Sequence, residues 1–73
     1  MIEVRLFATL REGREKIIFL EPVKYKIASD VINYLSIPQE EVAIYLINGR
    51  HSKMQDVIHD GDILAIFPPV GGG

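Results

Sequence analysis

The final seven residues, FPPVGGG, place a carboxylate at the end of three successive glycines. Glycine has no Cβ, so such a segment can enter a narrow channel and lets a partner's backbone approach the carboxylate of Gly73 closely. The two prolines before it favour a stiff extended arm, because proline fixes φ and cannot donate a ladder hydrogen bond. The pattern therefore indicates acyl chemistry at the Gly73 carboxylate, carried out inside a partner's active site.

A glycine run at a chain end is also typical of a frayed tail, which is the alternative for Gly71 to Gly73. The polar side chains elsewhere in the chain are weaker candidates for chemistry. His51 and His59 fall in or beside predicted turns with no cysteine to complete a ligand set, which favours surface histidines over a metal site. No serine or threonine has a histidine in a recognisable nucleophile arrangement. Glu40 and Glu41 follow Pro38 in a polar turn, where a solvated or capping role is expected. The chain is therefore predicted to be no enzyme by itself and to bind no metal or cofactor.

Composition limits the function further. A chain of 73 residues with 48% apolar and 25% charged residues is predicted to form one folded domain. A net charge of -2 argues against a nucleic-acid partner. The absence of cysteine means that any sulfur chemistry must use an atom other than a side-chain thiol. No signal segment or apolar run of about 20 residues is present, so a cytosolic protein without membrane contact is expected.

Hydrophobic periodicity predicts the elements that would hold the C-terminal segment. Strands are expected at 2–8, 16–21, 41–47, 50–53 and 62–68, with a charged, solvated loop at 11–16. In the first strand Ile2, Val4, Leu6 and Ala8 are expected to face the core and Phe7 to face the other way.

A helical stripe of Ile27, Val31, Ile32 and Leu35 predicts the one helix. Ser29 is a possible cap of a shorter form beginning at Asp30, and Pro38 is expected to close the helix.

One helix covers only one face of a sheet, yet the last strand has apolar residues at both parities. Part of the second face is therefore expected to be apolar and uncovered, which favours a docking surface. The alternative is that loops fold over that face.

The chain resembles the MoaD/ThiS-type sulfur carriers over nearly its whole length. The resemblance rests on VRLFATLRE at the start, SDVINYL on the helix, ING after the third strand and DGDILAIFPPVGGG at the end. It implies an α+β, ubiquitin-like β-grasp fold with a mixed sheet of four to five strands packed on one main helix. The domain would span 1–70, followed by a flexible glycine tail at 71–73.

FPPV together with LFATLRE resembles the small subunit of molybdopterin synthase more than the thiamine carrier. That resemblance implies that an E1-like enzyme adenylates Gly73 with ATP and magnesium and that a sulfur donor then forms a thiocarboxylate. The large synthase subunit would use this sulfur to build molybdopterin. The residues implied in partner binding are Phe7, Arg11, Phe67, Pro68, Pro69, Val70, Gly71 and Gly72.

Several alternatives stay open at the level of sequence. This chain ends with three glycines where the family usually has two, so Gly72 is a second candidate for the reactive terminus. The acceptor could belong to the thiamine pathway or another sulfur pathway. The chain could also be a ubiquitin-like protein modifier, or an interaction module whose glycines have no chemical role.

Overall fold

The computed structural model describes residues 1–69. Within them the chain forms a five-stranded sheet, one α-helix and three short 3₁₀ helices. The strands are β1 Ile2–Leu6, β2 Ile17–Leu20, β3 Ile44–Ile47, β4 Arg50–His51 and β5 Ile63–Phe67, and the helix α1 is Ala28–Tyr34. The 3₁₀ helices are Ala8–Arg11, Pro22–Lys24 and Gln39–Glu41. The predicted class, α+β with a mixed sheet packed on one helix, is confirmed.

The sheet has the strand order β2-β1-β5-β3-β4. β1 and β5 lie side by side and parallel at the centre, while the other neighbours are antiparallel. Leu6 is in register with Ile66 at the carboxyl ends of the two central strands. Because parallel strands end at the same edge of a sheet, the residues that follow Leu6 lie beside the last residues of β5.

The core lies between the helix and one face of the sheet, which we call the helix face. β5 contributes Leu64 and Ile66 to it, both with 0% of their surface exposed. They belong to one apolar cluster that also holds Val4 of β1 and Val31 and Ile32 of α1. Burying branched side chains of this size stabilises the fold by about 1.5 to 3 kcal/mol each.

Helix α1 begins at Ala28, so the shorter alternative starting at Asp30 with a Ser29 cap is wrong. The Asp30 carboxylate instead accepts hydrogen bonds from the backbone N–H groups of Lys26, at 2.9 Å, and Ile27, at 3.1 Å. An acidic residue one turn inside a helix can thus satisfy free N–H groups at its start.

The helix ends before Pro38. Ser36 adopts a left-handed φ of 58°, its N–H donates to the Asn33 carbonyl, and the Ile37 N–H donates back to Ile32 at 3.1 Å. These two hydrogen bonds form a Schellman motif, which ends the helix by turning the backbone. The terminating residue is therefore Ser36, a non-glycine that sequence reasoning does not single out.

The first strand is shorter than predicted, and Ala8 does not join the core. Ala8 has φ 53°, is exposed and opens the 3₁₀ helix Ala8–Arg11, whose Leu10 is buried instead. A left-handed residue breaks the alternation of a strand, so the inward parity ends at Leu6.

The sheet face without the helix, called here the open face, is partly uncovered. It carries Ile63, Ala65 and Phe67 of β5, all half-buried, and more exposed apolar side chains on β2 and β3. Ile17 is 44% exposed, Phe19 58% and Ile44 41%. Within residues 1–69 the prediction of an apolar, uncovered part of this face is confirmed, and the alternative of complete cover by loops is wrong.

Candidate functional site

Two aromatic rings meet at the carboxyl end of the central strands. Phe7 follows β1 and Phe67 ends β5; their ring centroids are 4.2 Å apart and the ring planes differ by 13°. The Phe7 N–H donates to the Ile66 carbonyl at 3.2 Å, which continues the parallel ladder beyond Leu6. The backbone thus fixes the two rings side by side, and both are half-buried on the open face. We call Phe7 and Phe67 the aromatic pair.

Arg11 places a positive charge next to the aromatic pair. Its Cζ lies 5.4 Å from the centroid of the Phe7 ring, within the range of a cation–π contact. Arg11 ends the 3₁₀ helix that follows β1, and its Nε donates to the Leu6 carbonyl at 2.8 Å. This bond fixes the guanidinium at the carboxyl end of β1. Arg11 is otherwise exposed, so its other donors are accessible to an anionic or carbonyl group of a partner.

The chain leaves the sheet at the aromatic pair. The Phe67 carbonyl accepts a hydrogen bond from the N–H of Ala43, the residue just before β3, at 2.9 Å. Pro68 and Pro69 follow, with Pro68 half-buried and Pro69 exposed, and neither can donate a further ladder bond. The predicted contacts Phe7, Arg11 and Phe67 are therefore brought together, with the two prolines directly after them.

The predictions for Val70, Gly71, Gly72 and Gly73 lie outside the described residues. The boundary between a domain at 1–70 and a tail at 71–73 lies there too. What the structure supplies is the point from which that segment departs.

Ile44 is a member of this site that sequence reasoning missed. It is the register partner of Phe67 on β3 and is 41% exposed on the open face. Strand parity contained the signal, since Tyr45 is buried and Ile44 must then face the other way. The site is thus a strip of three apolar side chains, Phe7, Phe67 and Ile44, flanked by one guanidinium.

The loop 11–16 is less solvated than predicted. Arg14 turns towards the end of α1, where its Nε donates to the Leu35 carbonyl at 3.2 Å and its Nη2 to the Ser36 carbonyl at 3.4 Å. Carbonyls at a helix end have no partners within the helix and attract a cation, which explains this position. Arg14 therefore has a structural role, whereas Arg11 belongs to the site.

The two histidines lie at the other end of the sheet. His51 and His59 line an open depression together with Arg50, Ser52 and Asp62, and both are exposed. His59 Nδ1 is 3.8 Å from the Asp62 carboxylate. Residues 1–69 contain no cluster of three or more histidine or carboxylate groups placed to hold a metal ion. In the same residues, no helix has the length and apolar character needed to cross a membrane.

The sequence model of the ThiS family matches residues 4–73, nearly the whole chain. Among curated protein sequences, none matches the chain.

Solved structures share the fold. SAMP1 of Haloferax volcanii, the small archaeal modifier protein 1, is 25% identical, with a TM-score of 0.77 over 99% of this chain and 98% of that one. The HVO 2177 protein of the same organism is 32% identical, with a TM-score of 0.72 over 99% of this chain and 85% of that one.

A third similar structure is a complex of subunits 1 and 2 of the molybdopterin-converting factor of Helicobacter pylori. The matching chain is 22% identical, with a TM-score of 0.67 over 99% of this chain and 97% of that one. At this identity the likeness shows the fold alone. Together these similarities confirm the ubiquitin-like β-grasp architecture.

Proposed function

The chain belongs to the ThiS family, and from this premise we propose that it is a sulfur carrier which holds sulfur as a thiocarboxylate on its C-terminal glycine, Gly73. The observation that carries the proposal is the joining of the aromatic pair and Arg11 to the exact start of the C-terminal segment. A partner that docks on this strip would receive the chain directly after Phe67. The absence of cysteine is consistent with sulfur carried on an acyl carbon.

The chemistry requires activation by a partner. A C-terminal carboxylate has an ordinary pKa of about 3.5 and is ionised at neutral pH, so it resists nucleophilic attack. In the proposed sequence an E1-like enzyme joins this carboxylate to the α-phosphate of ATP, with magnesium, and releases pyrophosphate. The persulfide of a donor protein then attacks the carbonyl carbon of Gly73 and displaces AMP. A thiol of the donor or enzyme cleaves the resulting S–S bond, which forms a disulfide and leaves a thiocarboxylate on Gly73. In this scheme the chain contributes binding and delivery, and the partners contribute catalysis.

The strip of apolar side chains has the properties of such a docking site. Aromatic residues at the centre of an interface, with an arginine at its edge, are the side chains that most often dominate binding energy. Phe7 and Phe67 are already ordered by stacking and by the backbone ladder, so little conformational entropy is lost when a partner covers them. Pro68 and Pro69 restrict the chain that follows, which reduces the cost of threading it.

Within this class we propose the small subunit of molybdopterin synthase. The sequence FPPV together with LFATLRE supports this assignment over the thiamine pathway. The expected partners are then the E1-like enzyme, a sulfur donor and the large synthase subunit. A cytosolic location is part of the same proposal.

Intact-mass measurement tests the carrier function. The purified chain, incubated with an active E1-like enzyme, ATP, magnesium and a sulfide source, should gain the mass of one oxygen-to-sulfur exchange at its C-terminus. The chain lacking Gly73 serves as a matched control and decides whether Gly72 can serve as the acceptor. An unchanged mass of both forms, with an enzyme that modifies another carrier, would exclude the proposal.

A protein modifier is the second candidate, favoured by the similarity to SAMP1. In that case the glycine terminus would become joined to lysine side chains of other proteins. Conjugates that persist on a denaturing gel and disappear when Gly71 to Gly73 are deleted would support it. If that deletion leaves partner function intact and no conjugates form, the chain would be an interaction module without acyl chemistry.

A further inference from the structure

The two edges of the sheet are built differently. β4 is the edge strand on one side and consists of Arg50 and His51 only, both exposed and polar. β2 is the edge on the other side and has four apolar residues, among which Ile17 is 44% and Phe19 58% exposed. Short charged edges are protected against pairing with another strand, whereas long apolar edges are open to it. Only the β2 edge therefore has the properties of a strand-pairing site.

Hydrogen-bond parity shows which backbone groups of β2 face outwards. The Leu6 N–H donates to the Lys16 carbonyl at 2.8 Å, and the β1–β2 register continued by one residue places these two residues opposite each other, at a hydrogen-bonded position of the ladder. Bonded pairs alternate along such a ladder, and Ile18 therefore also bonds to β1. The N–H and C=O groups of Ile17 and Phe19 consequently point away from β1. Within residues 1–69 no strand lies on that side.

We propose that β2 pairs antiparallel with the β2 of a second copy of the chain. A two-fold axis normal to the sheet keeps the open face of one copy continuous with the open face of the other. With such an axis, two residues that lie opposite each other must have their side chains on the same face of the sheet. An axis through Ile18 satisfies this requirement and places Ile17 opposite Phe19 of the second copy, twice.

In this register every outward backbone N–H and C=O group of Ile17 and Phe19 gains a hydrogen-bond partner. Ile17 and Phe19 become bonded pairs, which gives four new backbone hydrogen bonds and leaves Ile18 in the close, non-bonded pair at the axis. The same two residues carry the exposed apolar side chains, so each Phe19 ring packs against a branched Ile17 side chain, a favourable cross-strand pair. The neighbouring symmetric register would instead place Ile17 against the Glu21 carboxylate.

The pairing is expected to be weak. A four-residue edge buries less than the roughly 1,200 Å² of a standard stable interface, so the dissociation constant should exceed about 1 µM. The register also brings Glu15 near Glu21 of the second copy, and salt should relieve that repulsion. Dimerisation should therefore depend on concentration and become stronger at higher ionic strength.

Sedimentation equilibrium of the full chain tests the proposal without any partner enzyme, so its failure would leave the proposed carrier function untouched. The average mass should rise from 8.2 kDa towards twice that value as concentration increases. Phe19→Lys should raise the dissociation constant by at least about tenfold, because it places a charge on the pairing edge. Val23→Lys is the matched control, since Val23 is 65% exposed but lies outside β2, and it should dimerise like the wild type. A monomer at all concentrations up to about 1 mM, or an unaffected Phe19→Lys dimer, would overturn the proposal.

Cysteine cross-linking tests the register, because the chain has no cysteine of its own. Ile18→Cys should form an intermolecular disulfide under mild oxidation, since non-bonded antiparallel pairs have a Cα separation of about 4.5 Å, within the disulfide range. His51→Cys on the β4 edge is the control and should stay largely monomeric. Preferential cross-linking of His51→Cys would place the contact on the wrong edge and overturn the assignment. Loss of partner-enzyme binding by Phe19→Lys in a strictly monomeric protein would assign the edge to that partner instead.

Discussion

Strand β5 presents two different surfaces with alternate residues. Leu64 and Ile66 are completely buried on the helix face, whereas Ile63, Ala65 and Phe67 are only half-buried on the open face. The helix face binds the sheet to α1 and contains no buried charged group among the described residues. The open face keeps apolar side chains that the folded monomer does not need to bury. One strand thus contributes to the core with one parity, and we propose that its other parity serves recognition.

The largest effect expected from this division is on stability. Leu64→Ala should lower the free energy of unfolding by about 3 kcal/mol, because it leaves a cavity in a tightly packed core. Ile63→Ala, one residue earlier on the open face, should cost about 1 kcal/mol or less. Urea denaturation of both variants measures the difference. Equal losses would show that the two faces contribute alike to the fold.

Variants of the aromatic pair should lose more in partner binding than in the free energy of unfolding. Phe67→Ala should weaken binding to the E1-like partner by about 2 kcal/mol, roughly thirtyfold. The reason is that it removes the central ring of the strip formed by Phe7, Phe67 and Ile44. Its cost in stability should be smaller than that of Leu64→Ala, since Phe67 is only half-buried. Calorimetric titration and urea denaturation together separate the two effects.

Phe7→Ala should reproduce the binding loss, and the double variant should lose less than the sum because the rings stack on each other. Val23→Ala, at an exposed apolar position outside the sheet, is the control and should bind normally. Normal binding by Phe67→Ala would remove the aromatic pair from the interface.

Arg11 and Arg14 lie in the same charged stretch of the sequence, but we expect them to have different roles. Arg14→Ala should lower the free energy of unfolding by about 1 kcal/mol, because it removes donors from the carbonyls at the end of α1. Arg11→Ala should cost no more stability than Arg14→Ala, because it removes one bond to the Leu6 carbonyl, but it should also weaken partner binding by about 1 kcal/mol. Thermal unfolding and titration with the partner check each value, and exchanged effects would reverse the assignment of the two residues.

The smallest expected effect concerns the one fully buried side-chain nitrogen or oxygen atom within residues 1–69 that lacks a hydrogen-bond partner there. The Tyr45 hydroxyl is buried without a hydrogen bond there. Burial, with smaller contributions from the charges of Asp56 and Asp62, raises the pKa of Tyr45 above its ordinary value. Tyr45→Phe removes the unsatisfied hydroxyl and should leave stability unchanged or raise it by up to about 1 kcal/mol. A clear loss in urea denaturation would show that the hydroxyl is satisfied in solution.

Sequence patterns predicted most of the fold and the centre of the site. Alternation placed Phe7 on the face opposite to Leu6, and the structure confirms this position. It found apolar residues at both parities of the last strand, so the structure was needed to place Phe67 on the open face beside Phe7. The missed features depend on contacts between distant segments or on unusual backbone. Ala8 and Ser36 have positive φ values without being glycine, and Arg14 acts on a helix end 21 residues away. No local pattern reports such pairings.

The parallel pairing of β1 with β5 has a consequence for how the chain reaches its native state. Glu3 is in register with Ile63, so the central ladder joins residues from opposite ends of the described chain. Contacts of such long sequence separation slow folding, because the intervening chain must be ordered before they form. During synthesis the sheet cannot close until β5 has emerged from the ribosome. Until then the apolar residues of β1 lack the neighbouring strand that completes the core.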